Sequence, residues 1–205
     1  MRIGTWNLDA RASAAHLEFL LAADCDVWLL TEVSSKLTLP GYTAHVTQGV
    51  MGRGQHWAGV FSRLPMQGLE EPHGASDLVL IGEYTFCASV LPWRGCGDGA
   101  PWVGANTTEK TANAVASIVR ARPSIWGGDW NHSFNGKESA GSNEGRDAIR
   151  NAVNELGLHL ATENAPHQRE GIFAIDHLAV PWKATARRIA AGSLSDHDAY
   201  VLDRL

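Results

Sequence analysis

The sequence predicts a mixed α/β or α+β sandwich in which helices cover the faces of β-sheets. Apolar runs of strand character recur along all 205 residues, and helical patterns stand between some of them. Hydrophobic residues make up 44% of the chain and charged residues 19%, a composition that favours a buried core over disorder. The length favours one domain that covers residues 1–205.

The first half of the chain alternates strand patterns with one helical pattern. MRIGTWNL alternates as a strand does, and ASAAHLEFLLAA has helical spacing with Ser13 near its start. DVWLLTEV is nearly continuously apolar, as expected for a strand buried on both faces. Further strand candidates are YTAHVT, HWAGVFS and the two halves of DLVLIGEYTFCASVLP, which turns near Gly82 and Glu83.

The second half contains two amphipathic helix patterns and four strand patterns. TEKTANAVASIVRAR predicts a helix capped by Thr107 or Thr108, and RDAIRNAVNELG predicts a helix that ends at Gly157. The strand candidates are SIWGGD, IFAIDHLAV, ATARRIAAG and DAYVLDRL. Strands therefore dominate, and the helices are expected to cover the sheets that these strands form.

The cysteine content and the absence of long apolar runs indicate in which cellular compartment the protein is expected. Cys25, Cys87 and Cys96 are odd in number and lack metal-ligand spacing, so reduced thiols are the simplest interpretation and a Cys87–Cys96 bridge is the alternative. No apolar run reaches membrane-spanning length, and MRIGTWNLDA lacks the apolar region of a signal peptide. We therefore expect a cytoplasmic protein without a membrane partner.

The net charge of −5 restricts the class of nucleic-acid partner. A broad basic face that grips long duplex DNA would give an excess of lysine and arginine, which the chain lacks. A local cationic funnel remains compatible with this charge.

Polar residues recur where strand candidates end, although apolar strands do not need them. They are Asn7, Asp9, Glu32, Asp129, Asn131, Asp176, His177, Ser195, Asp196 and His197. Each has a structural explanation alone, but gathered carboxylates are costly unless a cation neutralises them or one stays protonated. Hard oxygen ligands with few thiols or imidazoles suit Mg²⁺.

The stretch IWGGDWNHSF raises the question of why two glycines precede an exposed carboxylate. Glycines allow a sharp turn and close backbone approach. On an extended chain Asp129 and Asn131 point the same way, while Trp130 points into the packing. The same alternation places His177 opposite Asp176 and offsets His132 from Asn131, so both histidines are expected to be structural.

Five segments together resemble the endonuclease/exonuclease/phosphatase superfamily. They are TWNLD (5–9), LLTEV (29–33), GGDWN (127–131), IDHLAV (175–180) and SDHDAYV (195–201). They occur in family order and span nearly the whole chain. The family includes DNase I-like nucleases, apurinic endonucleases, inositol polyphosphate phosphatases and sphingomyelinases. The resemblance implies a four-layer sandwich of two packed mixed sheets with helices on the outer faces and an active site at one edge.

The resemblance also implies a metal site for Mg²⁺ or Mn²⁺. By similarity, Glu32 is the main ligand, and Asn7 helps to hold the metal or a phosphate oxygen. Asp9 matches a position that some members use for an outer-sphere or second-metal contact. Asp196 is expected near the metal or in a role that orients the site.

Four further residues acquire catalytic roles from the resemblance. Asp129 would orient and deprotonate the attacking water, and Asn131 would hydrogen-bond phosphoryl oxygens or position Asp129. His197 would bind a nonbridging oxygen, while Asp176 would hold its imidazole and favour the cationic form.

The chain departs from the family pattern in CASVLPW. Nucleases of the family usually carry a histidine or tyrosine on this strand, but here the residues are Ser89, Val90 and Leu91. A metal-bound water or His56 would be a substitute. In the following loop, Trp93 and Trp102 are candidate substrate contacts. Arg94 and Lys137 are candidate phosphate contacts, with solvation as the alternative for both.

The predicted function is a divalent-metal-dependent phosphoester hydrolase that uses water activated by Asp129. A nuclease or phosphodiesterase is favoured because GDWN and SDHD look like the nuclease side of the family. The alternatives are a small-molecule phosphatase or phosphodiesterase, and a catalytically decayed member that acts as a binding module. Ser195 as a nucleophile is weaker, because it lacks a Gly-x-Ser-x-Gly elbow. The expected partner is a phosphoester, with nucleic acid as one candidate, and the expected state is a monomer.

Overall fold

Two six-stranded sheets lie face to face in the computed structural model, which describes residues 1–98 and 101–203. In chain order the strands are β1 (Ile3–Asn7), β2 (Val27–Val33), β3 (Thr43–Val46), β4 (His56–Ser62), β5 (Gln67–Gly68), β6 (Ser76–Ile81), β7 (Tyr84–Val90), β8 (Ile125–Asp129), β9 (His159–Leu160), β10 (Asp176–Val180), β11 (Arg187–Ile189) and β12 (Ala199–Leu202). The helices among the described residues are α1 (Ala14–Ala22), α2 (Thr107–Ala121) and α3 (Asn143–Glu155), with a 3-10 turn at Gly52–Gly54.

Both sheets are mixed, and their pairing brings distant strand ends to one edge. The first has the order β11-β12-β1-β2-β4-β3 and the second β5-β6-β7-β8-β10-β9. In the first sheet, β1 runs parallel to β2 and antiparallel to β12. In the second, β8 runs parallel to β7 and antiparallel to β10. The ends of β1, β2 and β8 therefore lie beside the starts of β10 and β12.

Apolar side chains fill the space between the sheets and the space beneath the helices. Leu29 and Val60 of the first sheet share a buried core with Phe86 and Leu178 of the second. Leu20 of α1 lies in a core with Trp6 and Trp28, on the outer face of the first sheet. Ile118 of α2 and Ile149 of α3 lie in a core with Trp126 and Trp130 of the second. The predicted four-layer sandwich is confirmed.

The helix starts differ from the sequence prediction in detail. Asn106, and not Thr107 or Thr108, caps α2, and its side chain accepts a hydrogen bond from the Glu109 N–H at 3.0 Å. Thr107 and Thr108 are the first two residues of α2 itself, and their hydroxyls donate to the Trp93 carbonyl and to Ser142 Oγ. The sequence RDAIR marks only the continuation of α3, which begins earlier at Asn143. Its cap is Ser142, which accepts from the Gly145 N–H.

Several smaller features complete the fold. Cys25, Cys87 and Cys96 are buried free thiols, so the alternative Cys87–Cys96 bridge is not formed. Burial raises the pKa of Cys25 and Cys87 to about 12. The two-residue edge strands β5 and β9 were not predicted, because they are too short to show a period. No helix in the described part of the chain combines the length and hydropathy needed to cross a bilayer.

The two glycines before Asp129 are required by close packing on both sides of β8. A Cβ on Gly127 would lie 2.8 Å from the side chains of Leu29 and Leu178, where the two sheets meet. A Cβ on Gly128 would collide with the Ser89 carbonyl oxygen of β7. Gly128 also has a φ of +125°, which side chains rarely adopt. The glycines therefore let β8 sit in its sheet and carry Asp129 to the edge.

We expect Gly128→Ala to lower the free energy of unfolding by about 3 kcal/mol, since it adds both backbone strain and a steric overlap. Gly52→Ala is the matched control, because a Cβ there meets no described atom within 4 Å. Urea denaturation of both variants measures the difference. Equal midpoints for the two variants would show that the β7–β8 contact is not as close as described.

Candidate active site

Asn7 connects the two sheets at the edge where the polar strand ends meet. Its Nδ2 donates hydrogen bonds to Glu32 Oε1 and to Asp129 Oδ2, each at 3.1 Å. Its backbone carbonyl accepts a hydrogen bond from Ser195 Oγ at 2.8 Å. One amide nitrogen therefore binds two carboxylates, one from each sheet.

The backbone at this edge is strained in a way that aims the polar side chains. Asp9, Ala10, Glu32 and Asn131 have φ values between +49° and +57°, and they are four of the six described non-glycine residues with positive φ. Such conformations cost about 1–3 kcal/mol each and cluster at functional sites. At Glu32 the carbonyl oxygen leaves the β2–β4 ladder and accepts the Ala10 N–H at 3.1 Å.

Asp129 is buried, and each of its carboxyl oxygens accepts one hydrogen bond from a neighbour. Its Oδ2 accepts from Asn7, and its Oδ1 accepts from the Asn131 N–H at 3.0 Å. Burial raises the pKa of Asp129 to about 7, with further increases from the charges of Asp176 and Glu32 and a decrease from His197. Burial and the neighbouring negative charges therefore favour the protonated form of this carboxyl group more than in a free aspartic acid.

Strand alternation does not account for the position of the Asn131 side chain. The strand ends at Asp129, and Asn131 is left-handed with a φ of 52°. Its Nδ2 donates to the Leu91 carbonyl at 3.1 Å. Trp130 points into the outer core against Trp126, at 4.1 Å between ring centroids, as the sequence predicts.

Asp176, which is buried, and His197, which is 12% exposed, form a pair beside Asp129. Asp176 faces Asp129 in the β8–β10 register, and its Oδ2 lies 2.6 Å from His197 Nδ1. The His197 carbonyl accepts from Trp6 Nε1, and its N–H donates to Ser195 Oγ, so its backbone is fixed. Burial alone would lower the pKa of His197, but the negative charges, Asp176 first, outweigh it and raise the pKa to about 10. The imidazole is a cation at neutral pH.

Asp9 and Asp196 lie at the solvent side of the same cluster. The Asp9 carboxylate is 38% exposed and forms an ion pair with Arg11 at 2.7 Å. The Asp196 side chain is 69% exposed, with its Oδ1 3.8 Å from His197 Nε2. Burial raises the pKa of Glu32, the Asn7 hydrogen bond and the His197 charge oppose that rise, and the charges of Asp9 and Asp196 add to it. Both acids are therefore within electrostatic reach of Glu32.

The residues present fit a hard divalent cation. One ligand atom each of Asp129, Asp176 and His197 lies within 4.8 Å of the others, although this group contains none of the four predicted ligands and a protonated His197 does not bind a cation, so only its two carboxyl groups fit a metal. Asp176 Oδ1 is buried and has no hydrogen-bond partner within the described chain. Burial first, and the charges of neighbouring carboxylates second, raise the pKa values of Glu32 and Asp129, and a bound cation would offset the repulsion between these carboxylates. Carboxylate oxygens are ligands that suit Mg²⁺ and Mn²⁺, whereas the Asn7 amide oxygen already accepts a hydrogen bond from the Asp9 N–H at 2.9 Å.

Comparison with solved structures identifies the fold to which this sheet edge belongs. No protein-family model and no curated protein sequence matches the chain. Among solved structures, an AP endonuclease from Leishmania major matches 98% of this chain and 86% of its own, with a TM-score of 0.75 and 14% identity. The endonuclease domain of the telomere-specific retrotransposon TRAS1 covers 98% and 97%, with a TM-score of 0.68 and 18% identity.

An endonuclease/exonuclease/phosphatase family protein from Leptotrichia buccalis also matches, over 99% of this chain and 98% of its own, with a TM-score of 0.64 and 13% identity. The chain has the DNase I-like fold. At these identities the likeness confirms the predicted resemblance at the level of the fold, while the chemistry depends on the side chains at the sheet edge.

Nucleases of the family usually carry a histidine or tyrosine at the stretch that here reads Ser89 to Leu91. In this chain the side chains of that stretch are buried in the core. The Ser89 hydroxyl accepts hydrogen bonds from Ser76 Oγ and Trp126 Nε1, and Val90 is buried. His56 Nδ1 is engaged with the Thr47 carbonyl at 2.7 Å, which gives it a local structural contact.

The two neighbouring histidines are structural, as strand alternation indicates. His177 is buried, with Thr162 Oγ1 and the His132 carbonyl each 2.8 Å from its ring nitrogens. Burial lowers the pKa of His177 to about 3. His132 is likewise buried, with Nδ1 on the Trp130 carbonyl and Nε2 on the Ser142 N–H.

The candidate substrate-contact residues after β7 divide into packed and exposed side chains. Trp102 is buried against Trp57 and Trp93, so its role is packing. Trp93 is partly exposed. Arg94 is exposed and donates to the Gly141 carbonyl at 3.1 Å, and Lys137 is exposed.

A cleft beside His197 contains a residue that the sequence did not reveal. The cleft has a volume of about 360 Å³ and is lined by residues 139–140, by His167, Arg169, Ile172 and Ile175, and by Asp196 with His197. The ring centroids of His167 and His197 are 6.1 Å apart. His167 lies in a loop and not at a strand end, so the pattern that found the other residues gave no signal for it.

We expect Asp176→Asn to lower the pKa of His197, because the change removes the negative charge that most favours the imidazolium. The native pKa of about 10 means that His197 keeps its proton through neutral pH and loses it only in alkaline solution. Histidine ¹⁵N NMR titration measures this. Asp147→Asn, on the exposed face of α3, is the matched control. Titration of native His197 near pH 6.5 would contradict the arrangement.

Proposed function

We propose that this chain is a divalent-metal-dependent phosphoester hydrolase, with nuclease or phosphodiesterase action as the favoured form. The observation that carries the proposal is the placement of Asp129 between the Asn7 amide and the Asn131 N–H, beside the Asp176–His197 pair. Phosphoester cleavage needs an oriented oxygen nucleophile and stabilisation of charge on the phosphoryl oxygens. This edge of the sheets supplies residues for both.

Asp129 is the proposed base. A carboxyl group with a pKa of about 7 can accept a proton from water at neutral pH and still be ionised in a large fraction of molecules. Its two oxygens are held by different hydrogen-bond donors, which fixes the direction of its free lone pairs. Asn131 acts through this contact as a positioning residue.

His197 is the proposed cationic donor to a nonbridging phosphoryl oxygen. Asp176 occupies Nδ1 and thereby leaves Nε2 for the substrate. A buried, pre-oriented donor of this kind contributes about 2.7–4 kcal/mol to transition-state stabilisation. Asp176 holds the ring and maintains its charge.

Glu32 is the proposed main ligand of Mg²⁺ or Mn²⁺, with Asn7, Asp9 and Asp196 around it. When bound, the cation supplies Lewis acidity and neutralises charge on the phosphoryl oxygens. Asn7 links this ligand to the base, because the same amide nitrogen contacts Glu32 and Asp129. A shift of Glu32 would therefore be transmitted to Asp129.

Nucleic acid is the favoured substrate class. The similar structures include an AP endonuclease and a retrotransposon endonuclease domain, which supports nuclease action. With a net charge of −5, we propose short or single-stranded segments over long duplex DNA. We also propose that residues 1–205 act as one domain and as a monomer. The free buried thiols suit a reducing compartment, consistent with a cytoplasmic location.

We expect the purified protein with Mg²⁺ or Mn²⁺ to hydrolyse at least one of single-stranded DNA, RNA, plasmid DNA and a bis-aryl phosphate. Asp129→Asn is expected to lower kcat by about 10²–10⁴-fold, because it removes the general base without changing the shape of the side chain. Asp147→Asn is expected to retain native activity. The relative rates on the panel separate nuclease from small-phosphodiester action.

We expect Glu32→Gln to weaken Mn²⁺ binding by at least about tenfold, because it removes a ligand charge from a site of few ligands. Isothermal titration calorimetry without substrate measures this, with Asp147→Asn as control. Metal binding in a native protein that hydrolyses no phosphoester would support the binding-module alternative and count against the hydrolase.

A further inference from the structure

His167 is held in a fixed position at the cleft by the backbone of its own loop. Its N–H donates to the Ile172 carbonyl at 2.9 Å. A bridge between Pro166 and Phe173, and a hydrogen bond from the Ala174 N–H to the Ala165 carbonyl, close the base of the loop. The loop is therefore a short hairpin that leads directly into β10 and Asp176.

The same loop is joined to the segment that carries His197. Gln168 Nε2 donates to the Gly192 carbonyl at 2.9 Å and to the Ser195 carbonyl at 3.3 Å. Because Ser195 in turn binds the His197 N–H, the two histidines are positioned relative to each other by one hydrogen-bond chain. The hydrogen bonds between the two segments therefore fix the 6.1 Å separation of the two rings.

The hydrogen bonds of His167 select one tautomer. The Arg169 N–H donates to His167 Nδ1 at 3.0 Å, so Nδ1 is an acceptor and the ring proton lies on Nε2. Within the described chain no side-chain or backbone group accepts from Nε2. Burial lowers the pKa of His167, which agrees with the neutral ring that the contact at Nδ1 selects. A neutral ring with a free N–H donor therefore borders the same cleft as the His197 cation.

We propose that His167 is a further catalytic residue, whose Nε2–H donates a hydrogen bond to a nonbridging phosphoryl oxygen across the cleft from His197. The inference rests on the proposed hydrolase function. A phosphoryl group carries oxygens on several sides, and each imidazole would contact one at a hydrogen-bond length of about 2.9 Å. His167 then supplies the donor that CASVLPW lacks at Ser89 to Leu91.

The contact is a hydrogen bond without proton transfer. Loss of a proton from a neutral imidazole would leave an anion beside the substrate, so His167 cannot protonate the leaving oxygen. Its effect should accordingly be the same for leaving groups of different basicity. This property separates His167 from a general acid.

The test compares His167→Ala and His167→Gln with the native protein on a series of bis-aryl phosphates in Mg²⁺ or Mn²⁺. We expect kcat/KM of His167→Ala to fall about 10- to 100-fold, the range for loss of a hydrogen bond to a charged group. The fall should be equal along the series, and His167→Gln should recover part of it through its amide N–H. His159→Ala, at an exposed position of β9, is the matched control and should keep native activity and melting temperature.

A second readout does not depend on turnover. Inorganic phosphate added to the native protein in Mg²⁺ should shift the Nε2–H NMR resonance of His167 and leave that of His159 unchanged. If the protein hydrolyses nothing but phosphate shifts His167, the hydrolase function fails and the anion contact stands. If the protein hydrolyses phosphoesters but His167→Ala matches His159→Ala and phosphate causes no shift, the inference on His167 is overturned. A loss that grows with leaving-group basicity would also overturn it, in favour of proton transfer.

Discussion

The amide group of Asn7 is the contact on which the rest of the site depends. It is the last residue of β1, and its nitrogen holds the carboxylate of Glu32 in one sheet and that of Asp129 in the other. Without this donor, the buried carboxyl group of Asp129 and the half-buried one of Glu32 would face each other across the sheet interface with only repulsion between them. Ser195 then ties the Asn7 backbone to the segment that carries His197. One residue thereby sets the relation between the proposed metal ligand, the base and the cationic donor.

Crowding of like charges at this edge accounts for the ionisation of its members. Burial and neighbouring carboxylates raise the pKa values of Asp129 and Glu32, whereas the same negative charges raise that of His197 against the effect of burial. The groups therefore favour one arrangement, in which the imidazolium of His197 sits among closely spaced carboxyl groups. A divalent ion or a phosphoryl group with its counter-ions would fit such a field better than a neutral ligand.

Close packing elsewhere in the protein offsets the unfavourable electrostatic free energy of this cluster. Leu29, Phe86 and Leu178 fill the space between the sheets, and tryptophans fill the outer layers. Gly127 and Gly128 allow β8 to lie so close to its neighbours that Asp129 reaches the edge. Glu32 and Asn131 have left-handed backbone conformations, each of which costs about 1–3 kcal/mol. Packing of the surrounding sheets must offset this cost.

The sequence by itself determined the elements and most of the polar residues at their ends, because strand and helix periods and turn residues act over only a few positions. These patterns indicated an α/β sandwich, the glycine pair before Asp129 and the structural roles of His132 and His177, whereas the four layers followed from the resemblance of the five segments to a known family. Only the tertiary structure decided that Asp176 lies opposite Asp129 and that His167 lies beside His197. These features depend on pairing, burial and charge among residues far apart in the chain, and a local pattern carries no record of such contacts.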